Sequence, residues 1–134
     1  MQPIIHIVDD DPSVCRSLKR LLQSWEMQVR TFETGEEFLA ALSRSKDADC
    51  SVIDVQMPGM TGLGLQDRMN RAGIDVPVIF ITALTVGWIE EKAMSAGAVG
   101  FLRKPFTEEV LVGLIRYALQ RRRKSVACVV KPEK

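Results

Sequence analysis

The run Ile4-Ile5-His6-Ile7-Val8 stops abruptly at Asp9-Asp10-Asp11-Pro12. An apolar run that short reads as a buried strand. Pro12 suits the first position of a helix, and Asp11 suits the cap before it. Val14, Leu18, Leu21, Leu22 and Trp25 then recur at helical spacing, with Trp25 read as core. The first unit is therefore a strand, an acidic turn and a helix.

The same alternation continues along the chain. Met27 to Phe32 reads as a second strand, the most polar one, which places it at a sheet edge. Thr34-Gly35-Glu36-Glu37 has the form of a capping box, and Phe38, Leu39 and Leu42 give the following helix its buried face. Cys50 to Val55 is a third strand, broken by the loop Met57-Pro58-Gly59-Met60-Thr61-Gly62. A third helix carries Leu65 and Met69 and stops near Gly73. Val76 to Thr82 is a fourth strand with almost no polar interruption, hence central. Ile89, Ala93 and Ala96 mark a fourth helix, which Gly97 ends. Gly100 to Arg103 is a short fifth strand. Thr107-Glu108-Glu109 opens a fifth helix through Val110, Leu111, Leu114, Ile115, Ala118 and Leu119.

Five strands, each followed by a helix, make an α/β protein with a parallel sheet. The expected architecture is a doubly wound, three-layer sandwich with the flavodoxin-like strand order 2-1-3-4-5. That order puts the polar second strand at the edge.

With 134 residues, the chain is one domain in size. Hydrophobic residues make up 46% and charged residues 26%, ordinary for a globular protein. No apolar run reaches the roughly 18 residues of a membrane span, and the N-terminus lacks a signal-peptide pattern. A cytoplasmic protein without membrane contact is expected. Residues 120–134 hold six basic residues against Glu133, a balance of +5, which leaves −4 for the rest of a chain of net charge +1. An acidic body is a poor match for nucleic acid, and the basic end reads as a solvated tail. Cys15, Cys50 and Cys128 form no CxxC pair, and His6 is the single histidine. No zinc constellation exists, and reduced thiols are the simplest reading, with Cys15 and Cys50 as small core fillers.

In an open α/β sheet, ligands sit beyond the carboxyl ends of the strands. Asp9 and Asp10 end strand 1, and Asp54 ends strand 3, so the three carboxylates should converge. Thr82 ends strand 4 and Lys104 follows strand 5, at the same rim. Three clustered carboxylates repel each other, and one divalent cation with one lysine would balance them. Mg²⁺ fits: a hard cation that takes one or two carboxylates and keeps waters for a phosphate oxygen. This is the outline of a phosphoryl-transfer site. Asp54 is the candidate nucleophile, since aspartyl phosphate is an established kind of covalent intermediate. Asp9, Asp10 and Asp11 could instead all serve the first helix as caps, but one Asp suffices for that. A lone carboxylate in a buried strand has no such structural use.

In combination, these motifs resemble the receiver domain of bacterial two-component response regulators. The resemblance rests on Val8-Asp9-Asp10-Asp11, Asp54-Val55-Gln56-Met57-Pro58-Gly59-Met60-Thr61-Gly62, Ile81-Thr82-Ala83 and Lys104-Pro105-Phe106, with Ala96-Gly97-Ala98-Val99-Gly100-Phe101 also typical. It covers residues 3 to 119 and is nearest to FixJ-like regulators. It implies that Asp54 accepts a phosphoryl group from a sensor histidine kinase. It implies that Asp10, Asp54 and the Gln56 carbonyl bind Mg²⁺, with Asp9 acting through a water. Thr82 and Lys104 would bind the phosphoryl oxygens, the Lys104–Pro105 bond would be cis, and Phe101 would be the aromatic switch that follows Thr82. Leu84, being apolar, is ill suited to orient an attacking water, which favours a longer-lived acyl phosphate.

The resemblance further implies a phosphorylation-dependent output surface on helix 4, strand 5 and helix 5, able to form a homodimer. DNA would be reached only through an output domain, so transcription is the expected output. Residues 1–120 are the receiver domain on this reading. Residues 121–134 are a basic tail or the start of a linker; Gln120 to Lys124 would continue helix 5 into it, and Val126 to Val130 form a short strand or fray. Trp88, in the loop entering helix 4, reads first as a core or lid aromatic and second as an interface anchor, and His6 as neither a metal ligand nor a phosphate carrier. Two other functions compete. A Mg²⁺-dependent aspartyl-phosphate phosphohydrolase would need an acid two residues after the nucleophile, where Gln56 stands. A phosphate-independent interaction domain would need none of the site. The phosphate loops GxxxxGK[ST] and GxGxxG are absent after strand 1, which disfavours a nucleotide-binding fold.

Overall fold

A computed structural model describes residues 2–44, 48–84 and 87–130, with side chains as far as Arg121. The chain order is β1 (Ile4–Val8), α1 (Pro12–Ser24), β2 (Gln28–Phe32), α2 (Gly35–Arg44), β3 (Cys50–Asp54), α3 (Gly62–Arg71), β4 (Val78–Thr82), α4 (Gly87–Ser95), β5 (Gly100–Arg103) and α5 (Glu108–Val130). The five strands form one parallel sheet in the order β2-β1-β3-β4-β5. The expected architecture is the one observed.

The period of two in each strand sends side chains to alternate faces. Ile5, Ile7, Val52, Ile79 and Ile81 pack under α1 and α5, against Cys15, Leu18, Leu22, Leu111, Ile115 and Ala118. Val8, Ile53, Val78 and Phe80 pack under α2, α3 and α4, against Phe38, Leu42, Leu65, Met69, Ile89 and Ala93. His6 belongs to the second face, where its ring lies 5.2 Å from Phe32 and 5.7 Å from Phe38. β3 and β4 are buried at every residue, whereas β2 buries only Val29 and lies at an edge.

The local signals act as their chemistry requires. Asp11 caps α1, its carboxylate accepting the Ser13 N–H at 2.9 Å. The Thr34 hydroxyl accepts from the Glu37 N–H, while the Glu37 carboxylate reaches back to the Glu33 N–H, one residue earlier than in the usual capping box. Gly97, at φ +108°, ends the turn after α4.

Several sequence expectations need correction. β4 starts at Val78 rather than Val76, because Pro77 has no N–H for the ladder. α4 ends at Ser95, so Ala96 lies in an exposed turn. On α5 the buried face includes Val112, while Val110 is 47% exposed. Trp25 sits at the margin of the core: it packs against the α1/α5 layer but is only half-buried, donates its indole N–H to the Glu108 carboxylate at 3.1 Å, and stacks under the Arg116 guanidinium. Trp88 lies within α4 and is 59% exposed, so it is not core. Gln120 to Lys124 continue α5 as expected, but so do Val126 to Val130, which form no strand. A helix satisfies its backbone groups locally, whereas a strand there would need a sheet partner. Residues 131–134 and the Cys128 side chain lie outside what is described.

Gly62, the first residue of α3, fixes how closely that helix approaches the end of β3. A Cβ there would sit 2.6 Å from the Asp54 carbonyl oxygen and 2.9 Å from the Val55 Cα. Backbone atoms cannot swing aside, so Gly62→Ala should cost about 1–3 kcal/mol in urea unfolding. Gly113→Ala, in open space on α5, should instead add about 0.5–1 kcal/mol.

Candidate functional site

The carboxyl ends of β1, β3, β4 and β5 meet at one rim. Asp9 and Asp10 follow β1, Asp54 is the last residue of β3, Thr82 is the last of β4, and Lys104 follows β5. Asp54 pairs in register with Ile81, and Thr82 with Arg103. The ladder therefore sets the spacing of these side chains before any of them interact. Asp9, Asp10 and Asp54 offer oxygens that all lie within 4.8 Å of one another.

Asp9 is fully buried. One of its oxygens accepts the Asp11 N–H at 2.9 Å, and the other faces Lys104 Nζ at 3.4 Å. The Cys15 thiol lies behind it and donates to its carbonyl oxygen at 3.3 Å. Burial first, and the Asp9 charge second, push the Cys15 thiol up to about 11, so it remains protonated. Cys15 is thus more than a core filler, since it helps hold the Asp9 backbone.

Asp54 accepts the Gln56 N–H at 3.2 Å on one oxygen, and its other oxygen lies 3.9 Å from Lys104 Nζ. Burial is the main reason that its carboxyl is raised to about 6, and the neighbouring Asp9 carboxylate adds to the effect. The Lys104 charge and the Gln56 N–H oppose it. Asp10 is exposed, which opens the cluster to solvent on one side. Three hard oxygen donors with one open side form a set able to hold a divalent cation.

Thr82 is fully buried, and its hydroxyl oxygen accepts the Leu84 N–H at 3.0 Å. That bond occupies a lone pair and leaves the hydroxyl proton available to another acceptor. The Lys104 N–H donates to the Thr82 carbonyl at 2.7 Å, and the Lys104–Pro105 bond is cis, as expected. The Gln56 side chain points to solvent, and its backbone N–H is the group that touches Asp54. Phe101 is half-buried, with its ring 6.4 Å from that of Phe80. Asp9, Asp54 and Lys104 are thus in direct ionic contact at one rim, Asp10 completes the acidic cluster, and Thr82 ends the neighbouring strand, whereas Phe101 sits lower on β5, paired with Phe80.

Comparison with known proteins fits this geometry. The family model described as "Response regulator receiver domain" matches residues 5–116. The response regulator protein TodT of Pseudomonas putida is 40% identical over 117 residues, covering 87% of this chain and 51% of TodT. The chain spans about half the length of the curated relatives it matches. Among solved structures, FixJ-N superposes with a TM-score of 0.83 at 32% identity, covering 90% of this chain and 95% of that one. A response regulator receiver protein from Burkholderia phymatum gives 0.78 at 42% identity, covering 89% and 96%.

The raised Asp54 carboxyl sets a pH dependence of stability. The fold favours its neutral form, so the stabilisation this gives is complete below about pH 4 and is lost as pH rises through about 6. In chelator at pH 7.5, Asp54→Asn should therefore be more stable than the parent, by something of the order of 3 kcal/mol. The difference should shrink to near zero by pH 4. Urea titrations of both proteins across this range check it.

Proposed function

The chain belongs to the response regulator receiver domain family, and on that premise we propose that Asp54 is its phosphoacceptor and that the cation held at its site is Mg²⁺. The domain is a phosphorylation-based signalling module, with an acidic cluster able to hold a metal, and acts as a phosphoacceptor rather than as a turnover enzyme. The observation that carries the Asp54 assignment is its position. It is the one member of the cluster that ends a strand buried at every residue, and it faces Lys104.

Asp10, Asp54 and the Gln56 carbonyl would hold Mg²⁺, with Asp9 contributing through water. When bound, Mg²⁺ would supply positive charge against the carboxylates and the transferring group. An Asp54 carboxylate oxygen attacks the phosphorus of a phosphohistidine on the donor kinase. The new P–O bond forms as the P–N bond breaks, and the imidazole departs with the electron pair. The carboxylate form is the one that attacks, and the Lys104 charge and the Gln56 N–H both favour it. The Lys104 ammonium, already shared between Asp9 and Asp54, turns to the phosphoryl oxygens. The Thr82 hydroxyl proton completes their coordination.

Reorientation of Thr82 would strain its bond to the Leu84 N–H, and Phe101, half-buried against Phe80, would repack. Such a switch is a shift between two populations, biased by how much better one of them binds the phosphoryl group. The surface of α4, β5 and α5 carries exposed Trp88, Met94, Val110 and Tyr117, which supports an interface there, including a homodimer. Family membership links the domain to a sensor-kinase phosphorelay. We read residues 1–120 as the receiver and residues 121–134 as a basic tail or linker to an output domain acting on transcription. Among the described residues no helix is long and apolar enough to cross a membrane, and the proposed location is the cytoplasm.

Intact-protein mass spectrometry after incubation with Mg²⁺ and acetyl phosphate tests the assignment. One phosphoryl adduct should form on the wild type and be absent from Asp54→Ala and from a chelated control. An adduct that persists on Asp54→Ala would move the acceptor elsewhere. Lys104→Ala should cut the adduct yield about 10²-fold, the scale expected for losing one charge-stabilising group.

A further inference from the structure

α4 is held to the domain unevenly, its first turn reaching β5 through the exposed Arg103–Glu90 pair at 3.5 Å. Of its nine residues, only Ile89 and Ala93 are buried. At its first turn, Trp88 is 59% exposed, and a side chain added at Gly87 would meet nothing within 4 Å. Its far end is fastened by side chains of α3. The Gln66 amide, 4% exposed, donates to the Ala93 carbonyl at 3.0 Å. The Asn70 amide donates to the Ala96 carbonyl, also at 3.0 Å.

Carbonyls at a helix end lack partners within the helix. Here the Ala93 carbonyl is met twice, and the Ala96 carbonyl in the turn beyond it once. Ala93 O also accepts the Ala98 N–H at 3.0 Å, across the turn made by Gly97. Gln66 and Asn70 are four residues apart and so share one face of α3. Ala93 and Ala96 are three apart, and the two amides reach both carbonyls from that single face. A buried glutamine amide is costly unless bonded, so the Gln66 contact resists opening more than an apolar contact of the same size.

We infer that Gln66 and Asn70 are positioning residues that pin the C-terminal end of α4, so that the helix responds to phosphorylation by swinging its N-terminal end about a fixed pivot. The N-terminal end lies nearer in sequence to Thr82. The pinned end lies next to β5, whose backbone follows directly after Ala98 and Val99. The swing rests on the phosphoryl switch proposed above; the pinning does not.

Amide hydrogen exchange of the full chain tests both parts. Without a phosphodonor, Gln66→Leu keeps the site filled but removes the donor. Exchange at Ala96, Gly97 and Ala98 should rise about tenfold relative to the β3 amides, the scale of one net hydrogen bond. Asn70→Ala should act in the same direction and less, because its contact is exposed. An unchanged ratio, or an equal rise in β3, would overturn the pinning. With Mg²⁺ and acetyl phosphate, the wild type should change its exchange at residues 91–93 and not at 96–98. In Gln66→Leu the change should spread to 96–98. A wild-type change of equal size at both ends would overturn the pivot. If mass spectrometry finds no adduct, the switch reading fails, and the phosphodonor-free arm still decides whether the end is pinned.

Discussion

One ammonium group shared by two buried carboxylates sets the terms for everything at the rim. Lys104 Nζ lies 3.4 Å from Asp9 and 3.9 Å from Asp54, and those two side chains have almost no contact with water. Without Lys104 the pair would be two like charges in a poorly solvated place, and one would take up a proton. With it, Asp54 is poised between forms, its carboxyl raised to about 6 but not further. The arrangement therefore depends on a lysine from the far end of the sheet meeting residues from its middle. Nothing local in the sequence brings them together. The order β2-β1-β3-β4-β5 does.

The two apolar layers make that order rigid. Strands buried on both faces cannot slip by one residue without exchanging their core side chains between layers. The register of Asp54 against Ile81 and of Thr82 against Arg103 is thereby fixed by Val52, Ile53, Ile79 and Phe80, which carry no chemistry. Close approach of α3 at Gly62 then holds the loop after Asp54 against the sheet. The packing is thus a positioning device, and the polar groups occupy places it has already chosen.

Most of this was legible in the sequence because the chemistry sits where elements change. Asp9, Asp54, Thr82 and Lys104 each interrupt or follow an apolar run, and parallel strands must bring such ends to one side. What was not legible depends on helix phase and on contacts between helices. The exposure of Val110 and burial of Val112 turn on a rotation of α5 that no single window fixes. Trp25 has the spacing of a core residue, yet its indole N–H finds Glu108 at the surface. Gln66 looks like an ordinary polar helix residue until α4 is laid over it. The Cys15 contact with the Asp9 carbonyl likewise needs the turn between them to be built first.

The two tryptophans give the molecule its own optical reporters. Trp25 lies in the seam between α1 and α5, half-buried and held by Glu108 and Arg116. Trp88 stands at the head of α4 with most of its ring in water. Solvent relaxes around an exposed excited indole and lowers its emission energy, whereas a clamped one emits nearer the blue. The fluorescence spectrum is thus a sum of two colours from opposite faces of the sheet. A rearrangement of one layer would recolour one component and leave the other as an internal standard, with no label added.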